Sequence, residues 1–394
     1  MSDRPNILAP AIRENPYPFY AELRKGPVRQ VDPMGMWVIS RHEDVVAVLK
    51  DAQRFSNKAY AAEARPPWLD RMPFEQSMLT LDPPAHTKMR ALVAKAFGPS
   101  VVTRLEPHVK TFADKLAEQM VRQKDVDFVE QFAMPLPAFA IGDMLGLDPS
   151  LHHHFKKWSD DMMTLTSHPT EEQIPSIIQS VKATDHYFSQ VIEDRRRAPR
   201  EDLVSDLLRA EIDGQALSTD DVLSFCFLLL LAGLETAKYL MASSMNLLTE
   251  HPEVLARVMK DRSLIPRVVD ETLRYEPPLH VCHRLTTTNV DMGGVTIPAR
   301  SMVLVLMGAA MHDEKAFPEP ERFNIDREKP TQLPFGHGAH FCIGSFLAKM
   351  EARVGLEAVF SRIKGVTKPQ QQISWSKSLS TRGPDTLRLI FDPA

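Results

Sequence analysis

The stretch from Asp221 to Glu250 restricts the fold more than any other part of this chain. It is apolar on nearly every side and contains the run FCFLLLLAGL at Phe225–Leu234. A helix that is apolar all round has to be buried. Ten apolar residues are too few to cross a bilayer, so the run predicts a helix through the middle of a protein. Ser218-Thr219-Asp220-Asp221 reads as a capping box at its start, and His251-Pro252 stops it. Such a helix needs a shell around it. A chain of 394 residues, 43% hydrophobic and 25% charged, has the material. Length alone gives a prior of two or three domains. No linker, repeat or shift of composition divides the sequence, and its 31 prolines do not cluster. One domain over 1–394 is expected.

Helical periodicity dominates the rest. Helices are expected over Pro18–Lys25, Arg41–Lys50, His86–Ala96, Leu105–Gln123, Leu151–Leu165, Ile177–Arg196, Leu203–Glu211 and Ser345–Phe360. Strand-like pieces are Met36–Ser40, Arg284–Thr288, Val295–Ile297, Met302–Leu306 and Leu387–Phe391. Arg54–Leu79, broken by Pro66, Pro67 and Pro73, reads as a long irregular loop of the kind that covers a binding site. Thr166–Ile174 reads as a flexible connection. The expected class is mainly α with a small β component.

Several function classes drop out. With 47 Lys and Arg against 51 Asp and Glu, the net charge is −4, and no basic field points to nucleic acid. The start, MSDRPNILAPAIRENPYPFY, has no apolar core of a signal peptide. Three scattered cysteines make no disulfide framework, and no CxxC or CxxCH occurs. The expectation is a cytoplasmic monomer with no membrane segment.

The chemistry concentrates at Phe335-Gly336-His337-Gly338-Ala339-His340-Phe341-Cys342-Ile343-Gly344. Glycines permit tight turns and close approach to something large and flat. Cys342 then sits at a helix start, where backbone N–H groups favour a thiolate, a strong ligand for haem iron. A buried structural cysteine is the bland alternative. A zinc site from His337, His340 and Cys342 lacks a fourth ligand and the usual spacing.

This segment resembles the cytochrome P450 family, whose pattern FGxGxHxCxG is matched by Phe335, Gly336, Gly338, His340, Cys342 and Gly344. The likeness runs along almost the whole chain, in the order of the soluble bacterial members. It implies the P450 fold, haem b, Cys342 as proximal iron ligand, Phe335 as its shield and His340 at a haem propionate. Glu271-Thr272-Leu273-Arg274 resembles the family's ExxR helix, and i, i+3 spacing lets the two charges pair. Arg322, in Pro320-Glu321-Arg322-Phe323, matches the third member of that network.

Asp82-Pro83-Pro84-Ala85-His86-Thr87-Lys88-Met89-Arg90 resembles the DPPxHTxxR segment. With Arg284 and His340, His86 and Arg90 would hold two propionates. Ala232-Gly233-Leu234-Glu235-Thr236 matches AGx[ED]T. There small Ala232 and Gly233 let the helix pass close to the haem, and Glu235 and Thr236 organise water and deliver protons. The bland alternative is a bond from the Thr236 hydroxyl one turn back, with Glu235 salt-bridged. Two departures are visible. Ala237-Lys238 replaces a frequent second Thr, and Met311-His312 stands where relatives often carry Asn-Arg before Asp313.

The implied activity is oxygen-dependent monooxygenation, hydroxylation or epoxidation, of a hydrophobic small molecule, as in secondary metabolism. Dioxygen is the co-substrate. No flavin or iron–sulfur motif is present, so a ferredoxin and ferredoxin reductase would supply electrons. Expected pocket segments are 62–79, 165–177, 228–236, 279–283 and 378–381. Lys88, Lys95, Lys349 and Arg353 are expected to form a docking patch, diluted by Glu351.

Overall fold

The start of the central helix forms as the sequence implies. In a computed structural model, Ser218 Oγ accepts from the Asp221 amide at 3.1 Å, and Asp221 Oδ2 accepts from the Ser218 amide at 2.9 Å. The structure describes residues 4–148, 152–165, 169–328 and 333–394. The expected helix over 221–250 is, however, two: Thr219–Gly233 and Glu235–Glu250. The break has a local cause. Thr236 Oγ1 donates to the Ala232 carbonyl at 2.7 Å, next to Gly233, the weakest helix former in the segment. Together the two pieces are long and apolar enough to cross a membrane, but 72% of their most apolar window is buried within the protein.

Other helices wrap this axis. Ser345–Phe360 packs on Pro99–Gln123, on Glu235–Glu250 and on Ile265–Tyr275. Pro135–Met144 lies against Thr219–Gly233 and Pro99–Gln123. One large apolar cluster, including Phe132, Phe225, Leu230, Met241 and Phe360, fills the space between them. A five-stranded sheet lies to one side. Its order is Arg29–Val31, Met36–Ile39, Met302–Leu306, Val281–Thr286 and Phe55–Ser56. Met36–Ile39 and Met302–Leu306 run parallel and the other pairs antiparallel. Ile363–Thr367, Arg388–Pro393 and Asp125–Asp127 form a smaller antiparallel sheet. The mainly α class with a minor β part is what the structure has.

Some boundaries move for identifiable reasons. The helix expected from Leu105 starts at Pro99, because Gly98-Pro99 places proline in the first turn, where its missing N–H costs nothing. The helix expected to reach Glu211 ends at Arg209, and Glu211 pairs with Ala216 across a tight ribbon. The region 54–79 is not wholly irregular. Phe55–Ser56 joins the sheet, and Ser56 caps a helix over Asn57–Glu63 by accepting from the Ala59 amide at 2.8 Å. Leu151 and positions 166–168 of the expected connection lie outside the described residues.

Candidate functional site

The cysteine loop is built by its glycines. Gly336 and Gly338 have φ of +81° and +69°, in the left-handed region. A Cβ on Gly338 would lie 2.8 Å from the Leu49 carbonyl, so the loop is pressed against the end of the helix His42–Lys50. The Cys342 amide donates to the Phe335 carbonyl at 2.7 Å and closes the loop beneath the Ser345–Phe360 helix. Cys226 is buried and Cys282 half-buried, while Cys342 is exposed. Yet desolvation raises the Cys342 thiol pKa, against the Gly344 amide and Arg90, which lower it. Both facts hold if the sulfur faces a space enclosed by protein. The Gly344 amide acts on the thiol in the expected direction, and desolvation outweighs it.

The four expected propionate partners converge. His86 is 1% exposed and its ring lies tilted against that of His340, centroids 4.2 Å apart. Neither ring nitrogen of His86 has a partner. Desolvation pushes the His340 pKa down to about 3, and His86, Arg284 and Arg90 push the same way. Arg284 is buried, and its guanidinium donates to the neighbouring His283 carbonyl at 2.7 Å. The Arg90 pKa is also lowered by desolvation, with Cys342 opposing. Buried donors without acceptors are costly unless a ligand supplies the acceptors.

In the central helices, Ala232 is exposed and Gly233, Glu235 and Thr236 are half-buried, although buried residues flank them. A Cβ on Gly233 would lie 2.7 Å from Ile141 Cδ1, so its small size also serves packing against the Pro135–Met144 helix. The Thr236 hydroxyl makes the one-turn-back bond already described, which consumes its proton and leaves its lone pairs free to accept. Glu235 is only loosely paired with Lys238, at 3.9 Å. It accepts from Tyr239 at 3.2 Å and from Thr381 at 3.0 Å. Desolvation raises its pKa, and Lys238, Thr381 and Tyr239 oppose. Thr381 arrives because Leu279 bridges to it, which brings the expected segments 279–283 and 378–381 together.

Comparison with known proteins decides the family. The family model described as Cytochrome P450 matches residues 150–389. The chain belongs to the cytochrome P450 family. It is 41% identical to the solved structure of cytochrome P450 CYP109Q5 from Chondromyces apiculatus, with a TM-score of 0.91, covering 99% of this chain and 98% of that one. It is 34% identical to 6-deoxyerythronolide B hydroxylase of Saccharopolyspora erythraea over the full length of both. CYP109E1 from Bacillus megaterium, solved with testosterone, is 30% identical at a TM-score of 0.85, covering 95% and 99%. The protein is thus a P450 monooxygenase with haem b as its cofactor, acting on organic substrates. The residues present fit that group: an accessible cysteine stands beside buried His86 and Arg284, and His86 in particular lacks any acceptor.

The buried ion network of this P450 differs from expectation at one member. Arg274 and Glu271 pair at 2.8 Å and are 2% and 4% exposed. The third side chain is Arg327, whose Nε reaches Glu271 Oε1 at 3.0 Å. Arg322 contributes only its carbonyl, to Arg274 at 3.2 Å, and its own side chain is exposed. The docking patch also changes. Lys349 pairs with Asp270 at 2.6 Å, and Arg353 with Glu106 and Glu357. Lys95 donates to the Glu211 carbonyl, and Lys88 is exposed. Glu351 dilutes nothing, because it is 1% exposed.

Residues that sequence reasoning missed explain Asp82. It accepts from Ser56 Oγ and from the Asn57 amide, and Asn57 Nδ2 meets His340 Nε2 at 2.8 Å. Asp82 thereby ties the start of the His86 helix to the sheet edge. Tyr60, on the Asn57–Glu63 helix, stacks on His283. Neither Asn57 nor Tyr60 carries a motif. The serine cap at Ser56 is the only local signal that this segment is ordered.

Proposed function

We propose that this P450 inserts one oxygen atom from dioxygen into a hydrophobic small molecule, by hydroxylation or epoxidation, as a monomer fed by a separate ferredoxin and ferredoxin reductase. The observation that carries this reading is the convergence of His86, Arg90, Arg284 and His340 beside Cys342. Cys342 would hold the haem iron as a thiolate, with Phe335 shielding it and small Ala232 leaving room for the haem. His86, Arg90, Arg284 and His340 would hold the two propionates. Bound haem supplies the one-electron and dioxygen chemistry.

The chain's own groups then do three things. The apolar residues of the central helix exclude bulk water and favour an apolar substrate. The Thr236 hydroxyl, committed as donor to the Ala232 carbonyl, accepts a hydrogen bond from a protonated oxygen or water in the cleft. Glu235, whose pKa desolvation raises, is the acid next to that hydroxyl in the chain and would pass it protons. The names of two relatives, a 6-deoxyerythronolide B hydroxylase and a P450 solved with testosterone, support bulky apolar substrates.

The test starts from the reduced, CO-bound protein. A red-shifted Soret band that disappears in Cys342→Ser supports the assignment, and its persistence overturns it. A panel of steroids, macrolide precursors and fatty acids is then screened for displacement of the distal water. Incorporation of labelled oxygen from dioxygen into a binding compound completes the case. Oxidation without incorporation would refute monooxygenation.

A further inference from the structure

One side chain touches two carboxylates at the back of the central helix. Tyr239 Oη lies 3.2 Å from Glu235 Oε1 and 2.9 Å from Asp385 Oδ1. Tyr239 is 1% exposed, whereas Asp385 is exposed. A phenol has one proton and can donate it to one acceptor. If Tyr239 gives its proton to Asp385, the remaining contact is a bond only when Glu235 carries a proton and donates it. If Tyr239 donates to Glu235, the Asp385 contact requires a proton on Asp385. Tyr239 thus stands between the two carboxylates, within hydrogen-bond reach of both.

The slot around the phenol is fitted to it. A Cβ on Gly383 would lie 2.3 Å from the Tyr239 ring, so only glycine at that position lets the ring lie there. Lys238 Nζ sits 4.1 Å from the ring centroid and 3.9 Å from Glu235 Oε1. Burial, then Glu235 and Asp385, drive the Tyr239 pKa well above its ordinary value, so the phenol stays protonated and relays rather than ionises.

We propose that Asp385 and Tyr239 form the route by which solvent protons reach Glu235. A proton from water binds Asp385 Oδ1. Asp385 passes it to Tyr239 Oη, and the phenol's original proton moves to Glu235 Oε1. Asp385 is again a carboxylate, Tyr239 is again neutral, and no electron is exchanged. The groups facing this path are Lys238, Thr381 and the three members themselves. The other side of Glu235, through Thr381, leads to a small pocket whose wall includes Arg13, His280 and Arg382. Tyr239 and Asp385 act through Glu235 and are positioning residues.

The inference rests on the reading of Glu235 as the distal acid, and the test separates the two. The holoenzyme is compared as wild type, Tyr239→Phe, Asp385→Asn and Glu235→Gln. Tyr239→Phe keeps the ring against Gly383, and Asp385→Asn changes an exposed group, so the fold is preserved. The first readout needs no turnover. The infrared carbonyl stretch of the protonated Glu235 carboxyl, assigned by its loss in Glu235→Gln, should shift in Tyr239→Phe because its partner is gone. The second is the solvent deuterium isotope effect on proton-limited oxygen turnover, followed against pH. Tyr239→Phe and Asp385→Asn should each slow that step about tenfold or more and enlarge the isotope effect, with substrate affinity unchanged. If Glu235→Gln slows turnover while the other two match wild type, the route is overturned and the acid reading stands. If Glu235→Gln also matches wild type, both fall. An unshifted carbonyl band in Tyr239→Phe overturns the route by itself.

Discussion

His86 and His340 lie ring to ring, centroids 4.2 Å apart at an interplanar angle of 44°, and His86 has no hydrogen-bond partner at either nitrogen. Two adjacent imidazoles beside Arg90 and Arg284 cannot both be cationic without strong repulsion. Desolvation, and then the neighbouring His86, Arg284 and Arg90, hold His340 at a pKa of about 3.

This gives a sign to the stability of protein prepared without haem. A histidine whose folded pKa lies below its unfolded value of 6.5 binds protons more readily unfolded. Its contribution is fully present above 6.5 and is lost as pH falls toward 3. The urea midpoint should therefore drop across that window. His340→Asn, which keeps a polar group near Asn57, should flatten the drop. An unchanged slope in that variant would place the titration elsewhere.

Glu351 works in the opposite direction. It is 1% exposed, its Oε1 has no partner, and desolvation pushes its pKa up to about 8. A carboxyl whose folded pKa exceeds its unfolded value stabilises the protein fully below about 4.5 and loses that contribution as pH rises through 8. Glu351→Gln should be close to wild type at pH 5 and more stable at pH 8. A tenfold difference in proton affinity between folded and unfolded chain is worth about 1.4 kcal/mol, so a gain of a few kcal/mol is expected. Denaturation at the two pH values checks it, and equal differences at both would refute it.

The Glu271 network predicts a contrast between two nearby arginines. Arg327 is 13% exposed and reaches Glu271, while Arg322 is 66% exposed and pairs with Glu319 at 3.7 Å. Arg327→Ala should cost about 3 kcal/mol, the low end for breaking a buried pair, since Arg274 remains on Glu271. Arg322→Ala should cost below about 0.5 kcal/mol, as for most surface substitutions. Guanidinium titration of both variants decides it, and the reverse order would restore Arg322 as the third side chain.

What could be read from the sequence follows from where the information lies. The Ser345–Phe360 helix matches at both ends, because its glycines and its apolar face are local signals. Cys342, His340, His86 and Arg90 are legible because each sits in a short motif whose spacing survives in the sequence. Arg327 was not legible. Nothing local distinguishes it from Arg322; the folded path of residues 318–327 decides which arginine turns toward Glu271. Gly233 shows the same limit. The small residue was legible, but its packing against Ile141, ninety-two positions away in sequence, was not. The pairing of Tyr239 with Asp385 spans 146 positions and leaves no periodic trace.

The last prediction concerns the redox partner. Arg90 feels the Cys342 charge and His86 lies against the cysteine loop, so the Ala85–Ala96 helix runs beside the thiol. Of the four cations expected to steer a ferredoxin, Lys349 and Arg353 are half-buried and neutralised by Asp270, Glu106 and Glu357. Lys88 and Lys95 are exposed on the Ala85–Ala96 helix, and neither has an ion-pair partner within 4 Å among the described residues. Seven positions apart, they fall on one helix face. The attractive field therefore belongs to this helix and not to both. Steering acts on association rates and weakens as salt shortens the screening length to about 10 Å and below. Lys88→Glu with Lys95→Glu should slow first-electron transfer from an acidic ferredoxin roughly tenfold at low salt and abolish most of its salt dependence. Lys349→Gln should leave both unchanged, because its charge is already cancelled. Stopped-flow reduction under CO, repeated at several salt concentrations, measures this directly. Equal effects from Lys349→Gln and from the Lys88 and Lys95 reversals would move the docking face onto the Ser345–Phe360 helix.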